Sequence, residues 1–351
     1  MSPAPGGPTL RSAQNAVVIM PTWLGDCVMA TPLLRALAIR TNPAPLWVAI
    51  PHALSGLLQG ATSDAHPPLH IVSLTAKGLL GPARAARQLR HAGVPRDSMA
   101  VLLPNSLRTA LIARVAGFPH RVGSARDMRR ALLTHALPTP PRRQPVSAVD
   151  WYAELGGWVL GEEITNRRVW LPCTVQDQNE ADRLLASVHQ PFAVLNPGAS
   201  KPMKRWDPHR FAALADALAA NFGLAVVVTG SPAERELTAR LCAQTTCRPL
   251  DVAGAGGSLG ALKAVLTRAA LLVTNDTGTR HIGAALGTPT VTLFGPTDHR
   301  WTTLHATRER HVLAAPFLPE PLVADHHQRW CMMDRITVGD VLVACRDLLG
   351  R

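Results

Sequence analysis

Residues 271–297 constrain the fold more than any other part of this chain. The apolar runs Leu271–Thr274 and Pro289–Phe294 are each typical of a short buried strand. Between them lie a polar turn, Asn275–Thr279, and a segment with helical character that carries His281. Two strands joined through a helix pair side by side in parallel, so the stretch predicts a βαβ unit and a parallel sheet.

The same alternation of short apolar strands and amphipathic helices continues along the chain. Further strands are predicted at Ala16–Met20, Leu46–Ile50, Ala100–Leu103, Phe192–Leu195 and Leu224–Thr229. Helices are predicted at 28–40, Gly78–Leu89, Leu107–Val115, Val149–Leu160, 208–220, Leu259–Arg268 and Val338–Leu349. This alternation predicts an α/β protein whose parallel sheets carry helices on both faces.

The length of 351 residues suits two domains of ordinary size. We expect a loose tail over residues 1–15, a first domain over 16–172 and a second over 173–335. The remaining residues, 336–351, form a last helix that we expect to pack back toward the first domain. The Pro/Arg-rich segment 138–145 is interpreted as a loop before the last helix of the first domain.

Three polar turns follow predicted strands, at the sheet edge where open α/β sheets bind ligands. The first, Pro21–Asp26, presents the carboxylate of Asp26, which suits either a general base or a helix N-cap. The second, Asn196–Trp206, brings Ser200 and Lys204 to a glycine-containing loop and suits either phosphate binding or a solvated basic surface. The third carries Glu234, which suits either a ribose diol or the dipole of the following helix.

The turn Asn275–Thr279 is a fourth polar turn, and it too has two interpretations. Thr277 and Gly278 lie where the first backbone N–H groups of a helix point, which is a ready-made anion site. Asp276 stands at the mouth of this turn, as a sugar-binding carboxylate or as the N-cap of the helix. Together the four turns predict a cleft between two doubly wound domains.

Composition narrows the classes of partner. Lys and Arg together number 36 against 24 Asp and Glu, a net charge of +12, which favours an anionic partner. The chain nevertheless has a single Tyr and no long basic block, so we expect no nucleic-acid partner.

The six cysteines form no CxxC pair and no apolar run of membrane-spanning length occurs, which predicts a cytoplasmic protein. His326, His327 and Cys331 lack a clean ligand spacing, so we expect no metal and no cofactor.

The motifs taken together resemble the ADP-heptose:lipopolysaccharide heptosyltransferases, glycosyltransferase family nine, and most closely the heptosyltransferase II branch. The matching segments span residues 16 to 343 in the family's order. They are AVVIMPTWLGDCVMATPLLRAL, LLPNSLRTALIARVAGFPHRVG, NPGASKPMKRWDPHRFAAL, VVVTGSPAERE, VTNDTGTRHIGAALGTPTVTLFGPT and CMMDRITVGDVL. The resemblance implies the GT-B fold, in which two Rossmann-like domains face a central cleft.

The resemblance also implies an inverting transfer of L-glycero-D-manno-heptose from ADP-heptose, with Asp26 as the general base. The donor ADP-L-glycero-β-D-manno-heptose would be bound by Ser200, Lys204, Glu234, Asp276, Thr277, Gly278 and His281. The implied acceptor is a phosphorylated lipid A–Kdo–heptose core, and the implied step is addition of the second heptose. Peripheral contact with the cytoplasmic face of the inner membrane follows from such an acceptor.

Acceptor contacts are expected from Asn105, Ser106, Arg126, Arg129 and Arg130 in the first half, although a solvated basic face accounts equally well for the arginines. Two alternatives stay open. One is a related family-nine transferase with another acceptor, either a different core sugar or a protein hydroxyl. The other, of a different class, is a non-catalytic nucleotide- or nucleic-acid-binding module.

Overall fold

The computed structural model describes residues 15–61, 68–139, 145–314, 329 and 331–350. Residues 1–14 of the expected tail and most of the segment 138–145 lie outside the described residues, as do His326 and His327. The chain separates into two compact units, Met1–Pro172 and Cys173–Arg351. The helix expected to form a separate C-terminal segment therefore belongs to the second unit.

The first unit is built on a parallel six-stranded sheet with the strand order β3-β2-β1-β4-β5-β6. Its strands are β1 (Ala16–Ile19), β2 (Leu46–Pro51), β3 (Leu69–Leu74), β4 (Met99–Leu102), β5 (His120–Ser124) and β6 (His135–Leu137). Its helices are α1 (Leu24–Met29), α2 (Thr31–Thr41), α3 (Gly81–His91), α4 (Leu107–Ala116) and α5 (Ala148–Leu160). The strand order reverses between β1 and β4, which creates a crevice at their carboxyl ends.

The second unit repeats this architecture, with the strand order β12-β11-β10-β7-β8-β9 and all strands parallel. Its strands are β7 (Phe192–Asn196), β8 (Ala225–Val228), β9 (Leu250–Asp251), β10 (Leu271–Asn275), β11 (Thr290–Phe294) and β12 (Glu309–Leu313). Its helices are α6 (Val175–Leu184), α7 (Pro208–Phe222), α8 (Arg235–Ala243), α9 (Val252–Ala255), α10 (Leu259–Arg268), α11 (Gly278–Leu286) and α12 (Val338–Leu349). Here the order reverses between β7 and β10.

The central strands are apolar because helices cover the sheet on both faces. Every residue of β1, β4, β7, β10 and β11 is buried, as expected of a doubly wound parallel sheet. Helix α12 packs against α7 and against β10, β11 and β12 of its own unit. The predicted α/β class with two doubly wound sheets is confirmed.

One predicted helix divides into two. The single helix expected over 28–40 is instead α1 and α2, which meet at Ala30. Pro32 lies in the first turn of α2 and has no backbone N–H to donate to the carbonyl of Val28. The hydroxyl of Thr31 donates to that carbonyl instead, at 2.7 Å. Helix α1 starts at Leu24, so Asp26 lies within the helix and not in the loop before it.

Candidate functional site

In the second unit, hydrogen bonds join the carboxyl ends of β7, β8 and β10. The side-chain amide of Asn196, the last residue of β7, donates to the carbonyl and the hydroxyl of Thr229, at 3.1 and 3.2 Å. Its oxygen accepts from the hydroxyls of Thr274 and Thr277, each at 3.4 Å. The predicted polar turns after these strands therefore share one edge of the sheet.

Asn275, at the end of β10, connects the 197–206 loop to the following turn. It is fully buried, and its amide donates to the carbonyls of Pro197 and Gly198, at 2.9 and 3.0 Å. Its oxygen accepts from the backbone N–H of Trp206 at 3.1 Å. Asn275 thus holds both ends of the loop that carries Ser200 and Lys204. The sequence alone does not single it out, because a strand-ending Asn has many uses.

The start of α11 is open to an anion. Thr277 is the N-cap, but its side chain makes no capping hydrogen bond, because its hydroxyl points back to Asn196 and Thr274. The interpretation of Asp276 as N-cap is therefore wrong. The first backbone N–H groups of a helix have no partner within the helix, so an uncapped start leaves them for a ligand.

His281 lies one turn into α11 as a neutral, buried imidazole. Burial and the nearby charge of Arg280 lower its pKa to about 4. Its Nδ1 is buried and has no hydrogen-bond partner among the described residues. Buried polar atoms are rarely left unpaired, which marks the site as one that a ligand completes.

Asp276 is an ionised carboxylate with both oxygens in contact with donors. Oδ2 accepts from Lys204 at 3.3 Å and from the Thr297 hydroxyl at 3.4 Å. Oδ1 lies 3.5 Å from Arg280 Nη1. Burial by itself would raise the pKa of Asp276, but the charges of Arg280 and Lys204 outweigh burial and lower it below the usual value.

Glu234 performs a capping role and also borders the loop of Lys204. Its Oε2 accepts from the backbone N–H and the hydroxyl of Ser231, at 2.8 and 2.7 Å, in a capping box. Its Oε1 lies so near Gly198 that a Cβ added there would stand 2.1 Å from it. Only glycine permits this approach, which brings a carboxylate to the edge of the loop. Ser200, further along the same loop, is exposed.

The predicted donor-binding residues therefore all lie at one edge of the second sheet. Lys204 and Asp276 are in direct contact, and Thr277, Gly278 and His281 follow Asp276 on the turn and helix. The residues that sequence reasoning missed here are Asn275 and the buried pair Arg280 and Glu309. Arg280 lies inside the recognisable motif, but nothing in the sequence links it to Glu309, which lies on strand β12.

In the first unit, Asp26 follows β1 at the reversal of strand order. It lies in the first turn of α1, whose N-cap is Trp23 without a side-chain capping bond, so the N-cap interpretation of Asp26 is wrong. Burial raises the pKa of Asp26 to about 6. No ion pair or side-chain hydrogen bond to its carboxylate occurs within the described ranges. A carboxylate with this pKa is suited to accept a proton near neutral pH.

Asn105 and Ser106 follow β4, across the same reversal. The Asn105 oxygen accepts from the Ser124 hydroxyl and from Arg129 Nη2, the latter at 3.5 Å, which orients the amide nitrogen as a donor. Ser106 is the N-cap of α4, and its hydroxyl accepts from the backbone N–H of Thr109 at 3.3 Å. Ser106 therefore has a structural role in addition to any contact with an acceptor.

Arg129 is enclosed by the protein, contrary to its predicted contact with the acceptor. It is fully buried, its Nε donates to the carbonyl of Ser124 at 2.9 Å, and its Nη1 donates to the carbonyl of Pro104. Burial lowers its pKa to about 10, so it still carries a charge at neutral pH. A guanidinium enclosed in this way supports Asn105 and is not placed to contact a phosphate. Arg126, part-buried, and Arg130, exposed, keep that expectation.

The chain is similar to known proteins over most of its length. Residues 84–324 match the family model for glycosyltransferase family 9 (heptosyltransferase). This chain belongs to glycosyltransferase family 9. The family 9 chain is 29% identical over 304 residues to lipopolysaccharide heptosyltransferase 2 of Escherichia coli K12, covering 82% of this chain and 84% of that one. It is 31% identical over 305 residues to the Salmonella typhimurium LT2 enzyme of that name, with the same coverage.

Solved structures agree with the fold of this family 9 enzyme. The structure of E. coli ADP-heptose LPS heptosyltransferase II matches with a TM-score of 0.76 at 25% identity, over 95% of this chain and 98% of that chain. A family 9 glycosyltransferase from Veillonella parvula matches with a TM-score of 0.81 at 21% identity, over 96% and 97%. The GT-B class expected from the sequence is confirmed, and the chain is a glycosyltransferase.

Two further features of the described residues concern metals and membranes. No group of three metal-ligating side chains comes together in this part of the chain, so the expectation about metals stays a prediction. None of the helices in the described ranges combines the length and apolarity needed to cross a bilayer.

Proposed function

We propose that this glycosyltransferase moves a heptose from ADP-heptose to the inner core of lipopolysaccharide, at the second heptose, with inversion at the anomeric carbon. The observation that carries the proposal is the contact of Lys204 with Asp276 beside the uncapped start of α11. This arrangement offers a cation and backbone donors for a diphosphate next to a carboxylate for sugar hydroxyls. The names of the E. coli and Salmonella relatives supply the sugar and the acceptor class.

The donor residues divide the work of binding ADP-heptose. Lys204, Ser200 and the N–H groups near Gly278 bind the diphosphate, and Glu234 binds the ribose diol. Asp276 accepts hydrogen bonds from the heptose hydroxyls, and the unpaired Nδ1 of His281 completes the pocket. Negative charge builds on ADP as its bond to the sugar breaks, so preorganised cations and N–H groups stabilise the transition state more than the ground state.

Asp26 acts as the general base in the proposed reaction. It takes the proton of the acceptor hydroxyl while that oxygen forms a bond to the anomeric carbon. The bond from that carbon to the phosphate oxygen breaks on the opposite face, and ADP leaves with the electron pair. Attack and departure on opposite faces invert the configuration, and the raised pKa of Asp26 matches the task of holding a proton transiently.

The acceptor side lies at the carboxyl edge of the first sheet. Asn105, Arg126 and Arg130 are proposed to contact the phosphorylated core. Leu79 and Met128, on the loops after β3 and β5, are each 96% exposed, which is unusual for large apolar side chains. Apolar tips beside cations suit peripheral contact with the anionic surface of the inner membrane, where a lipid-linked acceptor resides.

The test is transfer from ADP-heptose to a graded set of acceptors, read by mass spectrometry. Core acceptors with no heptose, one heptose and two heptoses are compared, each in deacylated soluble form and in anionic vesicles, together with a protein acceptor. The proposal predicts one added heptose on the one-heptose core only, with a faster rate in vesicles. Transfer to another acceptor would reassign the step. Absence of transfer, with no melting shift from ADP and with salt-sensitive DNA binding, would favour the non-catalytic alternative.

Replacement of Lys204 by methionine is expected to weaken ADP binding by about 10-fold or more, because a charged hydrogen bond to phosphate is worth about 1.5–3 kcal/mol. Isothermal titration calorimetry with ADP measures the loss. The matched control is Lys201→Met, which removes an exposed lysine three positions away in the same loop and should change the Kd by less than about 3-fold. Equal losses in both variants would attribute the effect to general loop charge and not to Lys204.

A further inference from the structure

Arg280 is a buried cation that stands behind the Asp276 carboxylate. It lies in the first turn of α11, and its side chain has no exposed surface. Its Nη1 is 3.5 Å from Asp276 Oδ1 and 2.7 Å from the Thr302 hydroxyl. Arg280 cannot reach solvent, so it acts on the donor site only through the groups around it, and Asp276 is the donor-site carboxylate that it contacts.

Glu309 holds Arg280 from the opposite side. It is the first residue of β12, and its side chain is 6% exposed. Arg280 Nε donates to Oε1 at 2.5 Å and Nη2 donates to Oε2 at 3.1 Å, which is the two-pronged geometry of the strongest arginine–carboxylate pairs. The Thr292 hydroxyl adds a bond to Oε1 at 2.6 Å. This geometry leaves the guanidinium little freedom to turn away from Asp276.

Aromatic rings close the remaining sides of the guanidinium. Its central carbon lies 4.9 Å from the centre of the Phe294 ring. His311 Nε2 is 3.1 Å from Glu309 Oε2 and 3.3 Å from Arg280 Nη2. Burial would raise the pKa of Glu309, but the hydrogen bond from His311 and the charge of Arg280 bring it far below the usual value. Glu309 therefore stays ionised across the working pH range.

We propose that Arg280, fixed by Glu309, is a positioning residue that orients the Asp276 carboxylate toward the sugar of the donor. The inference rests on the proposed function, in which Lys204 also contacts the diphosphate. Lys204 is part-exposed and is shared with the phosphate when the donor binds, so its hold on Asp276 weakens at that moment. Arg280 keeps its contact, and Asp276 stays charged and aimed at the heptose hydroxyls.

This role separates the sugar from the nucleotide. ADP has no heptose and gains nothing from the orientation of Asp276, whereas ADP-heptose does. A purely structural role for the pair would disturb both ligands alike, because α11 also carries the N–H groups that bind the diphosphate. The ratio of the two affinities is therefore the informative quantity.

The test measures the Kd of ADP and the KM of ADP-heptose in the Glu309→Gln variant, which keeps the size of the side chain and removes its charge. We expect the KM of ADP-heptose to rise about 10-fold or more and the Kd of ADP to change by less than about 2-fold. Arg280→Lys keeps the buried charge without the forked geometry and should show the same selective loss. The matched control is Glu236→Gln, which removes an exposed Glu–Arg pair on α8 and should change neither constant.

The outcomes are distinguishable. Normal ADP binding shows that a variant is folded. If Glu309→Gln no longer binds ADP, the positioning role is judged from the Arg280→Lys variant. The positioning role would be overturned if Arg280→Lys raised the Kd of ADP and the KM of ADP-heptose equally, or if both constants kept their wild-type values. The proposed function is judged separately, from the transfer activity of the wild-type protein. A wild-type protein that does not turn over ADP-heptose would overturn the proposed function and, with it, this inference.

Discussion

Replacing Asp26 with asparagine is expected to abolish most turnover and, at the same time, to raise the melting temperature. The loss of turnover follows from removal of the base and should reach about 100-fold or more. The gain in stability follows from burial, which raises the pKa of Asp26 from 3.8 to about 6. Two pKa units correspond to about 3 kcal/mol, and partial exposure reduces the expected gain to about 1–2 kcal/mol.

The sign of the pH dependence follows from the same shift. Below pH 4 the carboxyl is protonated in both folded and unfolded protein and carries no penalty. Between pH 4 and 6 the unfolded chain ionises first, so the wild type loses stability relative to the asparagine variant, and above pH 6 the difference is constant. For catalysis, kcat/KM of the wild type should fall about tenfold per pH unit below pH 6.

Turnover assays and thermal melts across pH 4 to 8 check both halves of this prediction. Asp97→Asn is the matched control, because Asp97 is an exposed carboxylate of the same unit and should change neither property. Near-normal turnover of Asp26→Asn would remove Asp26 from the mechanism. A lower melting temperature at pH 7 would show that the carboxylate stabilises the fold, contrary to its expected desolvation cost.

Replacing Asn275 with alanine is expected to cost about 3 kcal/mol or more of folding stability, because three buried hydrogen bonds disappear together. The N–H of Trp206 and the carbonyls of Pro197 and Gly198 lose this partner. Those groups lie at the two ends of the loop that carries Lys204. ADP affinity should therefore also fall by about 10-fold, because the loop loses its preorganisation.

Urea denaturation and calorimetry with ADP measure these two effects of Asn275→Ala. Asn166→Ala serves as the control, because Asn166 is exposed, accepts a single backbone hydrogen bond and should cost less than about 0.5 kcal/mol. If Asn275→Ala were as stable as the control, the connection between the loop and the turn would not matter to the fold. A stability loss with unchanged ADP affinity would show that the loop is ordered without Asn275.

The central strands were predictable, and the edge strands were not. The interpretation of Phe192–Leu195 and Leu271–Thr274 as strands is within one residue of β7 and β10, because strands buried on both faces are uniformly apolar. The edge strands β3 (LHIVSL) and β12 (ERHVL) went unrecognised, since edge strands keep polar, part-exposed side chains. Strand β5 (HRVGS), next to the edge strand β6, was missed for the same reason. Glu309, which holds Arg280, lies on one of these edge strands.

The alternation of apolar strands with helices and the polar turns after them were enough to determine the fold class and the edges at which ligands bind. These features depend on neighbours a few residues apart, which the sequence displays directly. Only the tertiary structure decided which side chains cap helices, which are buried and which are charged. It shows that Asp26 does not cap its helix, that Arg129 is enclosed, and that Asp276 is held by Lys204 and Arg280. The reason is that burial and charge depend on groups many residues away, which only the packing of the elements brings together.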